Sequence, residues 1–223
     1  AIVDKEFKKY FAYPSSKIEK DLDGNIVTTT YEVNTDYGYP ESEMADYGNG
    51  MNKTIQYTDY VFSGGSYRPQ LITRTQKHTD DSTPFTKKTH VTYDLEKGWK
   101  KQIIDNYKSV LPVTTSYTYD SWGNVLSSAS SGDGIISVTQ YTEYDNTKRF
   151  PKKVYTSPAS AVNTYTYDTW GNVLTENDET NLSYVLSTTH TYDNWGSRTS
   201  TTTPSRLKTT YAKGWNGKAD KRY

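Results

Sequence analysis

A ten-residue segment of this chain is repeated, closely or loosely, at a nearly constant spacing. A repeat of this kind limits the folds that the chain can adopt. The segment from Tyr117 to Leu126 reads YTYDSWGNVL, and the segment from Tyr165 to Leu174 reads YTYDTWGNVL. Looser copies share a Tyr-Asp or His-x-Tyr-Asp core. The repeated aspartates are separated by 26, 25, 23 and 25 residues, and they are Asp94, Asp120, Asp145, Asp168 and Asp193. A period of this size predicts a repeat protein in which each unit packs on its neighbours.

The repeats divide the chain into three parts of one array that spans residues 1–223. Clear copies occupy residues 93–198, and degenerate copies occupy residues 1–92, where Asp36 and Asp59 keep a step of 23 residues. The next step, from Asp59 to Asp94, is 35 residues. This excess predicts an inserted loop around residues 63–85, and residues 199–223 are interpreted as an incomplete terminal repeat.

Each repeat has the pattern of a β-hairpin. The segments between the aspartates are rich in Tyr, Thr and Val, which favour strands, and none has the 3.6-residue periodicity of a helix. At the hairpin tip, Asp120 can accept hydrogen bonds from backbone N–H groups that follow it, and Gly123 can adopt a positive φ. The predicted fold is all-β, with antiparallel hairpins stacked edge to edge into one curved or spiralling sheet.

Tyrosine takes much of the packing role that aliphatic residues usually have. The chain contains 22 tyrosines, whereas its hydrophobic fraction is 33%. Tyrosines two residues apart point to the same face of a strand, so stacked repeats would form ladders of rings across the sheet. The residues predicted to build the repeat are Tyr93, Asp94, Tyr119, Asp120, Gly123, Tyr144, Asp145, Tyr167, Asp168, Gly171, Tyr192, Asp193 and Gly196.

Composition excludes several classes of protein and partner. The 26 basic residues balance 26 acidic ones, which argues against nucleic acid as a partner. An aromatic share of 14% argues against disorder, and no apolar run is long enough for a membrane span. The chain has no cysteine, which removes disulfides and thiolate metal sites. The given residues include no signal peptide.

The Tyr-x-Tyr-Asp-x-x-Gly-Asn pattern, with its period and an Arg149-Phe150-Pro151 variant, resembles the YD repeat of the RHS (rearrangement hotspot) family. The resemblance implies a long sheet of hairpins that spirals into a hollow shell, which encloses a toxic polypeptide in bacterial toxins and serves adhesion in animal relatives. It also implies a segment of a larger secreted or cell-surface bacterial protein, whose partners are neighbouring repeats or domains. The chain is short for a closed shell and lacks the Asp-Pro-x-Gly element that the family associates with self-cleavage.

The sequence offers little catalytic chemistry. His78, His90 and His190 lie in different repeats without the spacing of metal ligands, and no serine-nucleophile motif is present. We therefore expect no catalytic residue, no metal, no cofactor and a non-catalytic scaffold role. A glycoside hydrolase that uses paired carboxylates is a remote alternative.

Trp122, Trp170 and Trp195 occupy equivalent turn positions and carry the main alternative function. Each indole could pack on the next hairpin, or the row could stack on sugar rings as a carbohydrate-binding module. A sheet of stacked hairpins also has two outer edges, and we expect some self-association through them.

Overall fold

A computed structural model describes residues 13–20, 22–158, 160–181, 183–213 and 219–222. Every regular element in these ranges is a β-strand, and none of the described residues is helical, so the all-β prediction is confirmed. The strands are β1 (Ser16–Lys20), β2 (Ile26–Val33), β3 (Pro40–Asp46), β4 (Met51–Ser63), β5 (Ser66–His78), β6 (Phe85–Tyr93), β7 (Lys100–Asp105), β8 (Val113–Tyr119), β9 (Val125–Gly132), β10 (Ile135–Tyr144), β11 (Pro151–Ser157), β12 (Val162–Tyr167), β13 (Val173–Asp178), β14 (Leu186–Tyr192), β15 (Arg198–Thr202), β16 (Lys208–Lys213) and β17 (Ala219–Arg222). With no helix in the described part of the chain, no segment there has the form of a membrane-spanning helix.

The strands belong to two compact units, residues 1–115 and residues 116–223. In the first unit, each strand from β1 to β7 pairs antiparallel with the next strand in the chain. In the second unit, the same rule holds from β9 to β17, and β8 joins β9 through a tight turn. Hairpins therefore stack in chain order within each unit, as the repeat pattern predicts.

The hairpin of β4 and β5 differs from the predicted inserted loop. Both strands are 13 residues long, and Gly64 and Gly65 connect them in a tight turn. The additional residues therefore lengthen two paired strands, and most of the region 63–85 is β5. Asp59 lies inside β4 with a φ of 54°, and the pairing with β5 continues on both sides of it, so it does not mark a turn.

Very few apolar side chains are buried. Val91, at 3% exposure, is the one fully buried apolar side chain among those described, and the other buried side chains are polar: Ser63, Thr89, His190 and Ser200. Aromatic contacts take the place of a thick core, for example the rings of Tyr141 and Tyr155 at 5.0 Å. Backbone ladders and aromatic pairs therefore hold the sheet together.

Small hydroxyl side chains pair across strands in hairpins of the second unit. Thr166 Oγ1 lies 2.6 Å from Thr175 Oγ1, and Thr118 Oγ1 lies 2.6 Å from Ser127 Oγ. In the terminal repeat predicted for residues 199–223, β16 pairs with β17. Gly214 and Trp215, which carry the motif of that repeat, lie outside the described residues.

Candidate functional site

The aspartate turns are built by one side chain that binds the backbone of its own loop. The Asp168 N–H donates to the Asn172 carbonyl at 3.0 Å, which closes the hairpin between β12 and β13. Oδ1 of Asp168 accepts the N–H groups of Trp170 and Asn172, each at 2.9 Å, and Oδ2 accepts the Asn172 amide at 2.8 Å. Gly171 has φ +91°, a conformation that costs glycine little.

The same design closes the other turns. Asp120 repeats the Asp168 pattern, with Trp122 and Asn124 N–H groups at 2.9 Å from Oδ1, and Asp193 binds Trp195 N–H at 2.9 Å. Gly123 and Gly196 have positive φ in these turns. The loops of Asp94 and Asp145 are one residue longer, because their N–H groups donate to the carbonyls of Trp99 and Phe150.

The sequence pattern placed one turn of this class at Asp36, but the side chain that builds this turn is the asparagine two residues earlier, Asn34. The Asn34 N–H donates to the Tyr39 carbonyl at 2.9 Å, and Asn34 Oδ1 accepts the N–H groups of Asp36 and Tyr37. The Asn34-to-Gly38 spacing equals the Asp94-to-Gly98 spacing, which is the signal that could have identified it. An asparagine side chain is therefore sufficient to build this turn.

Hydrogen bonds within the turns keep their carboxylates ionised. The Thr147 hydroxyl, at 2.6 Å, is the main cause that lowers the pKa of Asp145 to about 2. The Asn172 amide lowers the pKa of Asp168, and the Lys97 N–H lowers that of Asp94; burial opposes the shift in each case but is outweighed. The carboxylates of Asp94, Asp145 and Asp168 are therefore negatively charged at neutral pH.

The tyrosine before four of the five repeated aspartates links its hairpin to the strand before it. Four phenols donate to a main-chain carbonyl at or near the start of the adjacent strand: Tyr93 to Pro69 at 3.1 Å, Tyr144 to Val125 at 3.3 Å, Tyr167 to Pro151 at 2.7 Å and Tyr192 to Val173 at 2.9 Å. Each of these tyrosines also lies beside a β-bulge in its own hairpin. Tyr119 ends β8 in the matching position, and its ring lies 6.5 Å from that of Tyr117.

Successive turns touch each other. Because antiparallel strands alternate in direction, the turns of Asp120, Asp145, Asp168 and Asp193 share one edge of the second unit. The Asn124 amide donates to the Lys148 carbonyl of the next turn at 2.8 Å. Gly171 faces the Phe150 ring so closely that a Cβ there would lie 2.5 Å from Cε1.

The three turn tryptophans are exposed and do not form one continuous row. Trp122, Trp170 and Trp195 are 78%, 85% and 92% exposed. Trp170 and Trp195 line the same groove of about 640 Å³, between the Asp168 and Asp193 turns. Trp122 lies two turns from Trp170, because the Asp145 turn, which has no tryptophan, comes between them. Among the described residues no other ring stacks on these three indoles and no cation lies over them, and their exposure leaves only a small part of each side chain in contact with the next hairpin.

The histidines do not come together. His190 is buried in the ladder position that Tyr165 occupies, with Nδ1 3.0 Å from Thr201 Oγ1 and Nε2 3.4 Å from Glu176 Oε1. His90 stacks on Tyr107 at 4.8 Å. Over the described part of the chain, no three His, Asp or Glu side chains are grouped as metal ligands would be.

Comparisons with solved structures support the fold. The chain is similar to a chain in the crystal structure of TcdB2-TccC3-Cdc42, with 15% identity, a TM-score of 0.56, and coverage of 91% of this chain and 11% of that one. It is also similar to TcdB2-TccC3 without its hypervariable C-terminal region, with 14% identity, a TM-score of 0.56, and coverage of 90% and 10%. The chain thus spans about a tenth of the length of these proteins. No family model and no curated protein matches the sequence.

Proposed function

We propose that this chain is a non-catalytic β-repeat scaffold, a shell-forming or adhesive segment of a larger RHS-type protein that is secreted or displayed on a bacterial surface. The observation that carries the proposal is the coupling of successive hairpins. In the second unit, the repeats of Asp145, Asp168 and Asp193 are each tied to the preceding repeat by a tyrosine hydroxyl, and neighbouring turns also contact each other, for example at Gly171 and Phe150. Such nearest-neighbour coupling is how repeat proteins build extended surfaces.

The state of the turn carboxylates argues against the glycoside hydrolase alternative. A glycosidase needs one carboxyl group with a raised pKa as its general acid. The pKa values of Asp145 and Asp168 are lowered, and their oxygens accept hydrogen bonds from their own loops. These aspartates have a structural role that competes with proton transfer.

Hydrogen exchange tests the scaffold role. Gly171→Ala should lower protection in β11 to β14, since the Asp168 turn contacts its neighbours, and should leave β2 and β3 unchanged. Independent hairpins would lose protection in β12 and β13 alone, and that result would contradict the proposal. Release of reducing ends from a polysaccharide, abolished by Asp168→Asn, would replace the scaffold role with an enzymatic one.

A carbohydrate-binding role is the second candidate, and the exposure of the turn indoles favours it. Large exposed aromatic side chains in a groove are unusual unless they contact a partner, and indole faces suit the apolar faces of sugar rings. Trp170 and Trp195 provide two such faces in one groove. A polysaccharide binding screen should show binding that Trp170→Ala removes; no binding to any polysaccharide would leave only the scaffold role.

A further inference from the structure

We propose that Tyr37 and Tyr67 form an oxidative cross-linking site, at which a haem peroxidase and hydrogen peroxide join the two rings into one dityrosine. The new bond ties the hairpin of β2 and β3 covalently to the hairpin of β4 and β5. This site is independent of the scaffold and sugar-binding roles proposed above. Three observations support it: the contact between the two rings, their exposure, and the fixed segments that carry them.

The two rings belong to a cluster of four tyrosines in the first unit. The ring centres of Tyr37 and Tyr67 lie 4.9 Å apart, with the ring planes inclined at 57°, so the edges of the two rings are in contact. The ring centre of Tyr39 lies 6.2 Å from that of Tyr37 and 5.5 Å from that of Tyr67. Tyr60 stacks on Tyr39 at 4.0 Å. A radical formed on any of the four phenols can therefore pass to its neighbours.

Tyr37 and Tyr67 are the members of the cluster that an oxidant in solution reaches most easily. Tyr37 is 58% exposed and Tyr67 is 39% exposed. Tyr39 and Tyr60 are half-buried. The Tyr60 hydroxyl donates to the Pro40 carbonyl, and burial raises the pKa of this phenol, so its proton is held more firmly. The two exposed rings are therefore the favoured place for coupling, although Tyr39 and Tyr60 are closer together.

Both segments that carry the pair are held by hydrogen bonds. Tyr37 lies in the turn that Asn34 builds, and its N–H donates to Asn34 Oδ1 at 3.0 Å. Tyr67 lies near the tip of the hairpin of β4 and β5, where the Gly64 N–H donates to the Leu95 carbonyl at 3.1 Å. Two reactive groups that are held in contact react as if they were at very high concentration. Coupling within one chain is therefore favoured over coupling between chains.

The reaction balances with peroxide as the oxidant. Through the peroxidase, hydrogen peroxide takes one electron and one proton from each phenol and is reduced to two molecules of water. The two tyrosyl radicals then join through the ring carbons next to their hydroxyls, and the hydrogens on those carbons move to the oxygens. The chain contains no cysteine, so a disulfide cannot provide a tie of this kind.

Peroxidase treatment of the full chain at low concentration tests the site. Peptide mapping of the monomer should find one main cross-link, between Tyr37 and Tyr67, with the loss of two hydrogen atoms. Tyr37→Phe and Tyr67→Phe should each lower the dityrosine fluorescence of the monomer by more than about fivefold, because the preorganised pair is lost. Tyr184→Phe is the matched control and should leave it unchanged, since Tyr184 is 56% exposed but contacts no ring in the described part of the chain.

Hydrogen exchange measures what the bond does to the first unit. A cross-link between residues 30 positions apart restricts the unfolded chain as a disulfide does. Amides in β2 to β5 should therefore exchange more than about tenfold more slowly in the oxidised chain. Exchange in β12 and β13 of the second unit should not change, and Tyr37→Phe treated in the same way should behave as the untreated chain does.

The outcomes distinguish the site from its effect. No dityrosine in the monomer, or a yield that Tyr37→Phe leaves unchanged, would overturn the site. A main cross-link between Tyr39 and Tyr60 would overturn the choice of pair. A cross-link between Tyr37 and Tyr67 that does not slow exchange would overturn the covalent tie between the hairpins. Circular dichroism checks that the phenylalanine variants are folded, and mapping of the parent chain tests the pair without any variant.

Discussion

Replacement of Gly171 by alanine should destabilise the second unit by about 2–5 kcal/mol, the sum of a backbone cost and a packing cost. The positive φ at this position, +91°, costs an L residue about 1–2 kcal/mol. The new Cβ would also lie 2.5 Å from Phe150 Cε1, and overpacking of this kind typically costs a further ~1–3 kcal/mol. The Phe150 ring cannot move away freely because it stacks on Tyr167 at 5.0 Å.

Urea unfolding of matched variants separates the two contributions. Gly134 has φ +71°, and a Cβ added there would meet no atom within 4 Å, so Gly134→Ala measures the conformational cost alone. In a double-mutant cycle, Phe150→Ala should relieve part of the cost of Gly171→Ala. If Gly171→Ala and Gly134→Ala destabilise equally, and the cycle shows no coupling, then the turns do not stack as described.

Three further perturbations test the hydrogen bonds of the repeat. Tyr167→Phe should lower the free energy of unfolding by about 1 kcal/mol, because the Pro151 carbonyl loses its hydrogen-bond donor. The control is Tyr141→Phe, which removes the hydroxyl from a partly exposed ring that stacks on Tyr155. It should have little effect in the same urea titration. Because the pKa of Asp145 is lowered from 3.8 to about 2, this carboxylate stabilises the fold at pH values above 3.8, and that stability is lost as pH falls towards about 2. Thermal melts over this range should show a shallower loss of stability in Asp145→Asn than in the parent protein. An identical loss would contradict the assignment. Burial and the bond to Glu43 raise the pKa of Tyr57 from 10.0 to about 12, so stability should fall as pH rises through that interval, and Tyr57→Phe should weaken the dependence.

The turns could be predicted from the sequence because their chemistry is local. Every bond that Asp168 makes in its loop reaches a residue no more than four positions away, and the pattern of residue types contains that information. The failures at the N-terminal end have the same cause. Asn34 was missed, and Asp59 was misread as a turn, because the repeats were aligned by their aspartates alone. The spacing between the side-chain acceptor and the glycine of each turn was not used.

The contacts between hairpins could not be predicted from the sequence. The Tyr192 hydroxyl reaches the carbonyl of Val173, 19 positions away, and that contact depends on strand register and on a bulge that the sequence does not mark. Spacing alone was also ambiguous for the region around β5, since additional residues lengthen a loop and a pair of strands by the same count. The exposure of Trp170 likewise depends on its side-chain direction, which neither composition nor period determines.

The two edges of the second unit differ in how much the lengths of their loops vary. Along the aspartate margin every loop has nearly the same length, whereas the opposite connections range from the tight link between Gly132 and Ile135 to the longer one between Asp178 and Leu186. That second margin is where a foreign peptide could be grafted for display without disturbing the stacked corners. The connection between Asp178 and Leu186 is the first place to test such a graft.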